Sequence, residues 1–327
     1  MNTRNVNLDL IKCLACIGVV GLHSVGMVHY TIYYLCGISV PLFFMVNGYL
    51  MFSKDSLSCS YALRKIGALL RVVLCWNLLI MLPVLLFRHK LVNPLSLCAK
   101  SLFQQGYLWH FWFLGSFMIL DLLAPLLHRL LHRKKPALLI TCGFFMVFCI
   151  SNSMLSMYRG YSIQMYVPQT LRLWTWLFYY LFGALCADLQ VSKKLRLPLW
   201  SHGLAVILLA VLNNFCIKKV GLYLVHSRLA DLFYDNLTSI AWYTVTFLFL
   251  LRLPLAREKT RALITSFATL TMGIYILHPV LLAGINVVFV PSAVSGAVAL
   301  WGLLLVLSGI LSYLIGKIPL VNLLIHL

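Results

Sequence analysis

A chain of 327 residues that is 62% hydrophobic and only 10% charged, with a mean hydropathy of +0.95, has too little polar surface for a water-soluble domain. Its solvent is largely lipid. Twenty-six Lys and Arg against seven Asp and Glu give a formal charge of +19, and in so apolar a chain that excess reads as membrane-flanking loops, excluding nucleic acid as a partner.

Taken in chain order, ten apolar runs have spanning length: Leu8–Val28, Tyr33–Phe52, Ala68–Phe87, Leu108–Leu127, Ala137–Met154, Leu173–Leu189, Trp200–Ile217, Leu237–Leu255, Ile264–Val290 and Ala293–Ile315. The first contains "NLDLIKCLACIGVVGLHS", with Asp9, Lys12 and His23 inside it and no small-residue cleavage site, so it reads as a permanent span. An α-helix brings Lys12 and His23 within about 20° of one face and about 16 Å apart along the axis. Asp9 sits one turn before Lys12 and is placed to pair with it. Lys12 can snorkel to the headgroups, but His23 lies too deep and offers a neutral base near physiological pH. Ionisable groups at such depth are functional-site candidates. Cys13 and Cys16 form a CxxC with no second pair. The ten cysteines are scattered through apolar runs, and neither a disulfide nor a metal site is assigned.

The second run holds "SVPLFFMVNGYL", where Asn47-Gly48 in mid-helix implies close approach of another backbone or a ligand. Lys54, Arg64 and Lys65 follow it, then Arg71 inside the third run. Such a cluster serves either an anionic phosphate or topology. The fourth run opens "YLWHFWFLG", with Trp109 and Trp112 as interface anchors and His110 between them. Asp121 and Asp188 fall in apolar runs without an evident partner. The ninth run carries "TMGIYILHPVLL", which sets Tyr275 and His278 on one face at i,i+3, beside a carbonyl freed by Pro279. The longest loops, Arg88–Tyr107 and Lys218–Asn236, are too short for a core of their own, so residues 1–327 read as a single all-α integral-membrane domain with no separate soluble domain. Lys and Arg counted in alternate loops favour one side two to one, placing both termini in the cytoplasm.

The Lys12-x10-His23 helix, "VPLFFMVNGY", "HFWFLG", "YYLFGALCA" and "MGIYILHP" occur in an order that resembles the family-three integral-membrane O-acyltransferases of bacteria. The similarity spans nearly the whole chain. It implies a ten-helix bundle in the inner membrane that moves an acyl group, usually acetyl from acetyl-CoA, to a hydroxyl of a surface polysaccharide or its lipid-linked precursor. Acetyl-CoA is then a co-substrate, with no permanently bound cofactor. The resemblance implies Lys12 and His23 as catalytic residues, with His23 the base, and Tyr275 and His278 on their shared face are read beside them as catalytic groups that orient the carbonyl or the acceptor. Lys12, Arg64, Lys65 and Arg71 would bind the nucleotide end of CoA, and Asn47, Tyr49, His110 and Trp112 would line the substrate pocket. Two departures stand out: the family's Arg-x-x-Arg spacing is not matched by Arg64 and Lys65, and Asn47 stands where a Ser commonly precedes the glycine. Some relatives carry a fused extracytoplasmic hydrolase-like domain, which this sequence does not show. A transporter or flippase for a lipid-linked glycan remains the alternative, since it too would bury charges among ten spans.

Overall fold

The structure is a computed structural model that describes residues 4–89, 92–190, 195, 197–319 and 321–325; among these it is helix and turn, with no strand. The helices are α1 (Val6–Ser24), α2 (Tyr30–Cys36), α3 (Ser39–Phe52), α4 (Cys59–Arg88), α5 (Pro94–Leu102), α6 (Trp112–Leu131), α7 (Lys135–Arg159), α8 (Leu173–Asp188), α9 (Leu199–Lys219), α10 (Leu237–Arg252), α11 (Glu258–Ile285) and α12 (Val294–Lys317). Side-chain caps start several of them: Asn5, Ser58, Asn93 and Asn236 each accept from backbone N–H groups of the first turn.

All ten apolar runs are helical, the second as α2 and α3 in succession. Among the described residues, eight stretches are long and apolar enough to cross a bilayer: Val6–Ser24, Tyr30–Phe52, Cys59–Leu86, Trp109–Leu131, Lys135–Arg159, Leu199–Leu224, Glu258–Ile285 and Val294–Lys317. The other two, α8 and α10, have 16 residues each, about 24 Å of helix, shorter than the hydrocarbon core. Helix α5 falls within the stretch read as the loop Arg88–Tyr107; Asn93 as cap and Pro94 at its first turn were its signals. Of the basic residues counted for orientation, Lys90, Lys193, Lys194 and Arg196 lie outside the described residues.

Helix α8 is the centre of the bundle. Trp176, Phe178, Tyr179, Tyr180, Leu181 and Ala184 are all buried, and α3 lies along it. The contact is backbone on backbone: a Cβ at Gly48 would collide with the Tyr180 carbonyl, and one at Gly183 with the Met45 carbonyl. That explains the glycine in "VPLFFMVNGY" and in "YYLFGALCA" by close helix approach. Helix α1 packs on α11, α3 and α12. The helices α7 and α9 turn Ile140, Phe144 and Val147, and Leu204, Leu208 and Leu212, outward, as lipid-facing helices do.

Loop carboxylates tie one end together. Buried Asp235 accepts from Thr175 Oγ1 (2.5 Å), Trp174 Nε1 (2.8 Å) and Gln164 Nε2 (3.1 Å), and Asp231 from Gln169 Nε2 (2.9 Å) and Arg172 Nη1 (3.4 Å). Burial pushes the Asp235 carboxyl above the usual carboxylate range, against the pull of those bonds. Asp188, which has no evident partner in the sequence, accepts from the Arg133 backbone N–H at 3.1 Å.

Candidate active site

Four elements meet around His23: the last turn of α1, the last third of α11 with Pro279, the 3-10 turn Trp109–Phe111 and the start of α6. His23 Nδ1 lies 2.8 Å from His278 Nε2, and the rings stack at 12° with centroids 5.0 Å apart. On its other side, His278 Nδ1 is 2.9 Å from the Ile274 carbonyl oxygen. A carbonyl only accepts, so His278 Nδ1 carries the hydrogen and, in the neutral ring, Nε2 holds a lone pair. That lone pair requires a hydrogen on His23 Nδ1. By this assignment from the bonding network, neutral His23 keeps its free lone pair on Nε2.

The surroundings of that lone pair are set by aromatic packing. Trp109 meets the His23 ring edge-on at 5.1 Å between centroids. The Tyr275 hydroxyl donates to the His110 carbonyl oxygen, fixing the turn that carries His110 to α11. The His110 ring is buried, and both of its nitrogens lack a partner among the described residues. His23, His110, Trp112 and Tyr275 line one cavity of about 30 Å³, with Phe43 and Phe113 among its other walls. That is room for about one water molecule.

Other expected site residues lie elsewhere. Lys12 is on the His23 stripe but is held at 3.3 Å by Asp9, a buried carboxylate that also pairs with Arg4 at 2.5 Å. Lys65 turns into the bundle, donating to Asn47 Oδ1 and Asp121 Oδ1, each at 2.9 Å. The partner that the sequence does not reveal for Asp121 is therefore Lys65. This cluster of Asn47, Lys65 and Asp121 sits about 14 Å along α6 from Trp112. Asn47 is thus drawn away from the His23 cavity, and half-buried Tyr49 does not line it. Arg64 and Arg71 are exposed.

Trp112 departs from the reading as an interface anchor, whereas Trp109 remains 37% exposed. Trp112 is 6% exposed and stacks on Trp176 at 5.4 Å, and Trp109 walls His23. Their spacing around His110 looks like a membrane belt, but the 3-10 turn carries Trp112 into the core and sets one face of exposed Trp109 against His23. No periodicity announces that placement. Similarly, no sequence signal links Lys65 to Asp121, since their separation is fixed only by how α4 packs on α6.

The model of acyltransferase family 3, described as an acyltransferase domain, matches residues 5–317. A protein named amino-acid racemase from Enterococcus faecalis is 24% identical over 315 residues, covering 86% of this chain and 42% of the relative. The chain therefore spans less than half the length of that relative. No solved structure matches the chain.

Proposed function

The chain belongs to acyltransferase family 3 as a multi-helix membrane acyltransferase, and from that premise we propose that it is an O-acetyltransferase of the bacterial inner membrane. It takes acetyl from cytoplasmic acetyl-CoA and delivers it to a hydroxyl of a surface polysaccharide or its lipid-linked precursor. The observation that carries the reading is the His23–His278 pair, whose bonding leaves a basic lone pair on His23 Nε2 at a cavity shared with His110.

In this mechanism His23 Nε2 takes the proton of the acceptor hydroxyl as its oxygen attacks the thioester carbonyl carbon. The imidazolium that forms keeps its Nδ1–H bond to His278, which spreads the charge toward the Ile274 carbonyl. Negative charge develops on the former carbonyl oxygen. His110, which brings one unpartnered N–H in its neutral form, is the donor suited to stabilise it. Collapse breaks the C–S bond, and His23 returns its proton to the departing CoA thiolate. Tyr275 acts by positioning His110, because its hydroxyl is already bonded to the His110 carbonyl. With both termini cytoplasmic, Lys12 and Arg64 stand toward the inner end to meet the nucleotide phosphates, and Arg71 follows about two turns further along α4. The pantetheine arm then covers the ~16 Å of helix between Lys12 and His23.

The test is His23→Ala, with labelled acetyl-CoA supplied to membranes holding wild-type amounts of the protein. The expected loss is about 10²- to 10⁴-fold in acetyl transfer to glycan. Transfer at the wild-type rate would remove His23 from the chemistry, and label-free glycan in wild-type membranes would favour the flippase alternative.

A further inference from the structure

On the far side of α1 from His23, the helices α1, α2, α3, α9, α10 and α12 enclose a groove of about 1090 Å³. Its walls are almost wholly apolar, and Leu14 of α1 is 41% exposed within it, although α1 is otherwise a core helix. The exceptions to that apolar lining are informative. Asn214, Trp242 and Thr246 all line the groove, and each keeps one buried polar atom with no partner: Oδ1, Nε1 and Oγ1. Asn214 and Trp242 are 7% and 5% exposed, so neither is hydrated from bulk water. Unpaired polar atoms in an apolar wall are costly unless a ligand supplies the missing bonds.

At one mouth of the groove stands Lys218, the penultimate residue of α9. Its Nζ bonds to Thr31 Oγ1 at 2.6 Å, and no carboxylate lies within ion-pair distance among the described residues. Lys219 beside it lies over the rings of Phe215 and Tyr223, and neither lysine is ion-paired among the described residues. The Asn214 orientation is fixed, because its Nδ2 donates to the Thr31 carbonyl at 2.9 Å, leaving an oxygen that must receive a donor. From Lys218 to Val206, which lines the other end, α9 runs about 18 Å, slightly more than the ~15 Å of one leaflet's hydrocarbon.

We propose that this groove is a binding site for one anionic phospholipid of the leaflet at the Lys218 end, with its phosphate at Lys218 and its chains along α9 and α10. Trp242 Nε1–H donates to an ester carbonyl below the phosphate. Asn214 Oδ1 accepts from a headgroup hydroxyl, which selects a glycerol headgroup over a quaternary amine. The leaflet-length fit favours a phospholipid over a long polyprenyl carrier. The site does not depend on the acetyl-transfer chemistry and is tested without it.

The experiment is native mass spectrometry of the full chain in detergent, with phosphatidylglycerol, phosphatidylcholine and undecaprenyl phosphate as competing probes. Phosphatidylglycerol is expected to be retained about fivefold or more over phosphatidylcholine, the preference one desolvated lysine supplies, and to lose that preference in Lys218→Gln. Lys218→Arg keeps it, and Trp242→Phe lowers the retention of both phospholipids, which carry the same ester carbonyls. Should Lys218→Gln fail to fold, the wild-type preference must still fall as salt rises. Equal retention of the two phospholipids, a salt-independent preference, or displacement by undecaprenyl phosphate at lower concentration each overturns the assignment.

Discussion

Replacing Lys65 by Met separates two roles that its position allows. Lys65 Nζ lies 2.9 Å from Asp121 Oδ1 and 2.9 Å from Asn47 Oδ1, while Asp121 is 1% exposed and its other oxygen has no partner. Removing the ammonium leaves a buried carboxylate with only the Asn47 amide at 3.5 Å. Breaking one side of such a pair costs about 3–5 kcal/mol, because the surviving charge is uncompensated. Lys65→Met is therefore expected to lower the detergent melting temperature by several degrees, with KM for acetyl-CoA unchanged in the folded fraction. The double variant Lys65→Met/Asp121→Leu removes both charges and should recover most of the loss, to within about 1–2 kcal/mol of wild type. The assay is thermal unfolding of detergent-purified protein, paired with steady-state transfer against acetyl-CoA concentration. Normal stability with a raised KM would refute the buried-pair argument and return Lys65 to the phosphates of CoA.

Three further outcomes follow from the geometry. His278→Ala removes the acceptor that sets the His23 tautomer, so kcat should fall at least about tenfold, and His278→Gln, which restores an acceptor, should recover part of it; an unchanged kcat for His278→Ala would show that the pair has no positioning role. Gly48→Ala pushes α3 off the Tyr180 carbonyl and should cost about 1–3 kcal/mol in thermal unfolding, whereas Gly143→Ala, with nothing within 4 Å of its added Cβ, should be neutral or stabilising. His132, just beyond α6, has its imidazole held below the usual range by burial first and by His128 beside it, and Asp188 at 3.9 Å offsets this only in part. Its folded pKa is depressed, so the unfolded chain binds more protons in that window, and stability is lost as pH falls from about 6.5 toward the folded value. His132→Phe should flatten that part of the stability–pH curve; an equally steep curve in the variant would assign the loss to another group.

The bundle itself was written in composition and run length. Ten apolar runs became helices because a helix satisfies its backbone within one segment, with no help from the lipid. The Lys12–His23 stripe and the Asp9–Lys12 pair follow from helical pitch within one segment, and so do the shared face of Tyr275 and His278 and the close approach at Gly48. Short-range geometry is carried by the chain's own covalent rules.

Contacts between segments had no such carrier. Which nitrogen of His23 is free depends on α11 meeting α1 at His278. Lys65 bonds Asp121 rather than facing the cytosol because α4 lies on α6, and Trp112 points inward because a 3-10 turn precedes α6. The groove behind α1 belongs to six helices at once, so no stretch of sequence describes it. Periodicity gives the face a residue occupies on its own helix. Which neighbour covers that face is decided by packing among all the helices, where the cost of an unpaired polar atom or a colliding Cβ selects one arrangement.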